Sequence, residues 1–283
     1  VIWRWPWAWL IALPALLPVL DLAPLAGRQL LDGFDLLILA TLAIGYWREL
    51  DTPPRPWPSR LAQLAVLLLA VSWTASMAIG LAPLLSGASW SLASSHPTIE
   101  AFVVGKGLLW ALLLVPLLRR VPAADTGRLP RYLVQGLALG ATLTALVVVV
   151  ERQRFVGLGD FDGIFRVTGN FSAMNDGGAY IEAYLALAIP ALVVWTLMQR
   201  TLLARLGGAL AVALATYAMF VTFSRGGYGG LAVGLLVVIA GSAVFVRAVL
   251  ARYRFAPCVY RATRQLGYDV CAKCGYWLKG LEG

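Results

Sequence analysis

"RYLVQGLALGATLTALVVVVERQRF" (131–155) holds the reading on which the fold turns. Residues 132–150 carry no charge, while Arg131 lies before them and Glu151, Arg152 and Arg154 follow. As a helix this run rises about 28 Å at about 1.5 Å per residue. That is close to the roughly 30 Å hydrocarbon thickness of a bilayer. The stretch therefore predicts a membrane-spanning helix with charge at both ends, and Gly136 and Gly140 one turn apart give it a small-residue stripe suited to close helix packing.

The rest of the chain repeats the pattern. Of its 283 residues, 60% are hydrophobic and only 13% charged, with mean hydropathy +0.78. A soluble domain carries about 25% charged residues. Apolar runs at roughly 7–24, 34–47, 61–80, 101–118, 132–150, 177–198, 207–223 and 227–246 predict an all-α integral membrane protein, a polytopic bundle of about eight transmembrane helices over residues 1–246. Residues 247–283 read as a polar, basic tail. The first run, "VIWRWPWAWLIALPALLPVL", lacks a small-x-small cleavage signal and carries a belt of tryptophans, so it reads as a retained helix rather than a signal peptide.

The formal net charge of +9 is a topology signal. Seventeen of the 23 Lys and Arg residues fall in alternate connections and in the tail. Cytoplasmic segments collect such residues, so both termini are expected in the cytoplasm and no nucleic-acid partner is expected. The six remaining cations, Arg28, Lys106, Arg152, Arg154, Arg166 and Arg225, lie on or near the outer face against that bias. Lys106 is placed inside the fourth span. A cation there either faces a cavity or partner or snorkels outward along its helix.

Two stretches gather polar chemistry at that face. In "VTFSRGGYGGLAVG" (221–234), Ser224 is placed to cap the eighth helix, whose free N–H groups, with Arg225, suit a phosphate. Gly226, Gly230 and Gly234 form a packing stripe there, with the Gly136/Gly140 stripe as a candidate partner. In "FRVTGNFSAMNDGGAYIEAYLALAIP" (165–190), Arg166 precedes a turn containing Asn170, and Asn175 or Asp176 can cap the sixth helix. Glu182 is expected about two turns inside that helix, either paired with Lys106 or Arg225 or acting in chemistry. Together these residues suit a lipid-linked pyrophosphate, with an anionic head at the surface and a tail in the bilayer. A solute transporter is the competing class, but the sequence shows neither paired broken helices nor a repeated half.

These two stretches and "PVLDLAPLAGRQLLDGFDLLILATLAIGYWR" (18–48) resemble the O-antigen ligase and polymerase family of bacterial inner-membrane proteins. The marks are the "TGNF…N" turn entering a helix with a central proline and the "SRGG" that opens the next long helix. The likeness spans roughly residues 10–250. It implies a metal-independent inverting glycosyltransferase needing no cofactor. Such an enzyme takes a glycan from undecaprenyl pyrophosphate on the periplasmic side and passes it to lipid A-core, to another glycan or, in related oligosaccharyltransferases, to a protein hydroxyl. By motif, Arg166 and Arg225 are the implied catalytic residues, stabilising the departing pyrophosphate. Lys106, Arg152, Arg154, Asn170, Asn175, Glu182 and Ser224 are implied or candidate substrate contacts.

The chain departs from the family after the "SRGG" helix. Members continue into a large periplasmic loop bearing a histidine, whereas here a cytoplasmic tail is expected from Arg247, and the single histidine, His96, lies in an earlier outer segment. The alternative expectation is therefore an incomplete or non-catalytic module that binds lipid-linked glycan or a partner subunit. In the tail, "YDVCAKCGYWLKGLEG" (268–283) resembles half of a zinc ribbon. Cys271 and Cys274 are candidate zinc ligands and Cys258 a third, but a closed structural site needs four, so a complete one is not expected from this tail alone.

Overall fold

A computed structural model describes residues 7–21, 33–48, 53–57, 59–85, 97–120, 128–161, 165–169, 171 and 180–243. These form α1 (Ala8–Asp21), α2 (Gly33–Arg48), α3 (Arg60–Leu85), α4 (Pro97–Arg119), α5 (Leu129–Phe155), α6 (Tyr180–Leu197) and α7 (Leu202–Phe220). An eighth helix, α8, covers Arg225–Ala243. No strand occurs among the described residues. Five of the helices, α3, α5, α6, α7 and α8, are long and apolar enough to cross a membrane. Each of the eight expected runs coincides with one helix; only the edges move, by a few residues. The chain divides into two units at Leu231, so that only the start of α8 belongs to the first.

The centre of the first unit is α5, which packs against α1, α6 and α7. Ala141, Ala145 and Val148 of α5 are fully buried against Ile181, Leu185 and Ala188 of α6 and Ala215 and Ala218 of α7. A second cluster joins Trp9, Leu10 and Leu13 of α1 to Ile38 and Leu42 of α2 and Leu117 of α4. α3 packs on α4 and leaves most of its apolar surface exposed.

The Gly136/Gly140 stripe faces α1. This corrects the expectation that it would meet the glycines of α8. A Cβ on Gly136 would sit 2.5 Å from the Ile11 carbonyl oxygen, and one on Gly140 would sit 2.8 Å from that of Pro14 and collide with the Tyr184 hydroxyl. Ile11 matched to Gly136 and Pro14 to Gly140 means that α1 and α5 run parallel. The seam is specific because of prolines. α1 contains Pro14 and Pro18, and Pro18 has no N–H for the Pro14 carbonyl one turn earlier. The Tyr184 hydroxyl of α6 donates to that carbonyl instead, at 2.9 Å. One hydrogen bond thus ties α6 to α1 through the gap that Gly140 leaves in α5.

Removing the Tyr184 hydroxyl leaves the Pro14 carbonyl without a donor, which costs about 1–3 kcal/mol when the acceptor is buried. Tyr184→Phe is therefore expected to lower the unfolding midpoint of the detergent-solubilised chain, and Gly140→Leu to lower it further by forcing α1 off α5. Thermal unfolding of the two variants beside the wild type checks the order.

Candidate functional site

Four helix ends meet at one end of the first unit: the C-termini of α5 and α7 and the N-termini of α6 and α8. The connection after α5 is fixed there by Glu151. Its Oε1 accepts from the Thr168 backbone N–H (3.0 Å) and hydroxyl (3.3 Å), and its Oε2 from the Gly169 N–H (2.7 Å). A carboxylate at the end of an apolar helix needs such donors, because water is scarce there. Gly169 meets two further demands. Its φ of +57° is a left-handed conformation that side chains disfavour, and a Cβ there would lie 2.8 Å from Cδ1 of Ile181. Phe165 stacks on Phe155 at 6.0 Å, and Val167 is buried. Arg166, between them, stays exposed.

The α7–α8 turn is equally defined. Phe223 adopts φ +53°, uncommon for a bulky residue and a sign of a turn held by its surroundings. Phe220 packs against Phe161 (5.7 Å), Phe223 (6.3 Å) and Tyr228 (6.4 Å), and the Tyr228 hydroxyl donates to the Phe220 carbonyl at 2.5 Å. Tyr217 donates to the Leu158 carbonyl at 2.8 Å, joining α7 to the segment after α5. Ser224 caps α8, its hydroxyl accepting from the Gly227 N–H at 3.1 Å. Arg225 is the next residue and is exposed.

Glu182 lies between these two pieces. The described helix α6 begins at Tyr180, so Glu182 falls in its first turn rather than two turns inside. A Cβ on Gly227 would be 3.0 Å from Glu182 Cβ and 3.3 Å from its Oε2. Gly227 and Gly230, the latter against Ala186, make the close approach of α8 to α6, whereas a Cβ on the exposed Gly226 would meet nothing nearer than the Ser224 hydroxyl at 3.9 Å; the expected stripe is corrected by one residue at its start. Glu182 Oε2 is buried with no hydrogen-bond partner among the described residues. It sits beside the N-terminal ends of two helices, α6 and α8, where the backbone dipoles present partial positive charge.

Two expected substrate contacts are engaged within the protein, Lys106 away from this end and Arg152 buried at it. Lys106, in the third turn of α4, is buried and pairs with Asp35 of α2 at 2.5 Å; Trp110 Nε1 donates to the other oxygen of Asp35 at 2.7 Å. Neither snorkelling nor Glu182 accounts for Lys106. Arg152 is wholly buried. One of its terminal nitrogens donates to the Asp160 carbonyl and its guanidinium lies 5.8 Å from the Phe161 ring, while Nε and Nη1 have no partner among the described residues. Arg154 is exposed. Asn170, Asn175, Arg28, His96, Cys258, Cys271 and Cys274 lie outside the described residues. Among the described residues no group of three or more His, Cys, Asp or Glu is arranged to hold a metal.

Asp35 and Glu151 do not stand out in the sequence. Asp35 reads as an ordinary first-turn acid of a helix, and Glu151 as one charge in the run "ERQR". For Glu151 the one available signal is its position directly beyond an uncharged span, where a lone carboxylate must find donors.

No family model matches the chain. No curated protein and no solved structure matches it either.

A buried ion pair broken on one side leaves an uncompensated charge, at a cost of about 3–5 kcal/mol. Asp35→Asn and Lys106→Met are each expected to reduce the yield of folded protein sharply, and the double variant to regain much of it. Size-exclusion profiles of the detergent-solubilised variants check this non-additivity.

Proposed function

We propose that the chain is a polytopic transferase of the bacterial inner membrane, with both termini in the cytoplasm, that accepts a glycan carried on undecaprenyl pyrophosphate at its periplasmic face. It passes the glycan to a hydroxyl of lipid A-core or of a second glycan. The observation that carries the reading is the joining of two turns at one end of the bundle. The Glu151-bound turn presents Arg166, and the Ser224-capped start of α8 presents Arg225, with Glu182 between their helices. The family-like motifs at 165–190 and 221–234 supply the substrate class.

The chemistry fits an inverting displacement. The acceptor oxygen attacks the anomeric carbon, and the bond from that carbon to the pyrophosphate oxygen breaks with its electron pair. The departing pyrophosphate gains negative charge, which Arg166, Arg225 and the N-terminus of α8 offset. The hydroxyl proton goes to Glu182, whose buried oxygen has no competing donor among the described residues. Arg152 contributes a buried positive charge close by rather than a contact.

A second reading, a non-catalytic module that binds the lipid-linked donor, is favoured by a specific finding. With Lys106 paired and Arg152 buried, only Arg154, Arg166 and Arg225 of the expected cations are exposed among the described residues. Donor binding without transfer distinguishes it from the enzyme.

Arg166→Ala and Arg225→Ala are each expected to weaken binding of polyprenyl pyrophosphate about tenfold and to slow glycan transfer about a hundredfold. Glu182→Gln is expected to leave donor binding intact while slowing transfer by about 10²-fold or more. Isothermal binding and a reconstituted transfer assay report the two quantities separately. Unchanged donor binding in both arginine variants contradicts the assignment.

A further inference from the structure

The opposite end of the same helices carries a second basic feature that the transfer chemistry does not use. There a cleft of about 360 Å³ opens between the start of α5 and the α6–α7 turn. That size is within the ~300–1,000 Å³ typical of small-ligand clefts. Its walls include Arg131, Gln135, Trp195, Met198, Gln199 and Arg200. Two arginines thus face one space lined by no carboxylate. Neither side chain makes a hydrogen bond or ion pair with another described residue. Like charges facing one cleft from its two sides without a counter-charge repel each other, and an anion held between them removes that repulsion.

The remaining wall residues narrow the ligand. The Gln199 amide nitrogen donates to the Trp195 carbonyl at 3.0 Å, which leaves its side-chain oxygen as an acceptor. The Gln199 backbone carbonyl accepts from Arg205 at 2.8 Å, and the Thr201 hydroxyl oxygen accepts from the Ala204 N–H. These bonds hold the turn, and the capacity left to the cleft is two guanidinium groups, the Thr201 O–H, the Gln135 amide and the Gln199 side-chain oxygen. Arginine forks match phosphate oxygens, and an amide oxygen accepts from a hydroxyl. Trp195 and Met198 give the same cleft an apolar side. Tryptophan favours the depth of lipid head groups, where one edge is apolar and the other wet.

We infer that this cleft holds the head group of an anionic phospholipid with a hydroxyl-bearing substituent, of the phosphatidylglycerol class. Arg131 and Arg200 take the phosphodiester and the glutamine amides take the glycerol hydroxyls. Helices α5 and α6, which line the cleft together with the turn that leads into α7, are both long and apolar enough to cross a membrane, so the cleft lies where head groups gather. Basic pockets between helix ends are established sites for anionic lipid heads. Lipid binding here depends on the bundle crossing a membrane and not on its transfer activity.

The test uses the full chain in zwitterionic micelles titrated with brominated phosphatidylglycerol or brominated phosphatidylcholine, with tryptophan emission as readout. Quenching by the anionic lipid is expected to saturate at lower concentration, and Trp195→Phe to remove that saturable component. The exposed substitutions Arg131→Gln and Arg200→Gln together are expected to raise the half-saturating concentration about tenfold, with helical content unchanged by circular dichroism. Equal quenching by the two lipids, or an unchanged titration in the double variant, overturns the inference. Displacement by inorganic phosphate at concentrations equal to the lipid's assigns the cleft to free phosphate, and that overturns it as well.

Discussion

A carboxylate in the last turns of a helix, one residue past its uncharged run, must find donors within the protein, and Glu151 finds three in the single turn at Thr168 and Gly169. That one requirement holds Thr168 and Gly169 against the end of α5. With the turn held, Gly169 meets Ile181 and Val148, which sets the entry of α6. Glu182, next to Ile181, is then set against Gly227, and α8 starts where Ser224 can cap it. The placement of Arg166 and Arg225 at one end of the bundle is a downstream result of where Glu151 is satisfied.

The same scarcity of water governs the other polar groups in the helices. Pro18 deprives Pro14 of its helical donor, and Tyr184 replaces it. Lys106 is matched by Asp35, and Asp35 is matched again by Trp110. Arg119 donates to the Arg55 carbonyl and lies 4.4 Å over the Trp57 ring, a stacked arrangement that guanidinium tolerates well. In each case a backbone or side-chain group distant in sequence makes the contact. The polar contacts, more than the apolar surface, specify which helices are neighbours, because apolar side chains in a membrane have no preference between lipid and protein.

That distinction explains what is legible in the sequence. Eight helices can be read from apolar runs alone, and five of them have the length and composition that crossing a bilayer requires. The Ser224 cap is readable because capping is local. Partner choice is not. The Gly136/Gly140 pair announces a close approach but not that α1 makes it. Lys106 announces a need for a counter-charge but not that Asp35, 71 residues earlier, supplies it. Arg152 sits in a run of charges that looks solvent-facing, and only the fold over Asp160 and Phe161 buries it. Glu182 reads as deeper than it lies because the apolar run begins at residue 177, whereas the described helix begins at Tyr180.

In the proposed transferase, the pyrophosphate of the lipid carrier sits at the end of the bundle formed by the Glu151-bound turn and the start of α8. Photocrosslinking reads that position without relying on turnover. The membrane-reconstituted chain would be exposed to a polyprenyl pyrophosphate bearing a photoreactive group beside the phosphates, and the adducts located by peptide mapping. Adducts within 165–171 and 224–228, lost when inorganic pyrophosphate competes, are the expected result. Adducts confined to α3, or to the opposite helix ends at 131–135 and 198–201, would contradict it.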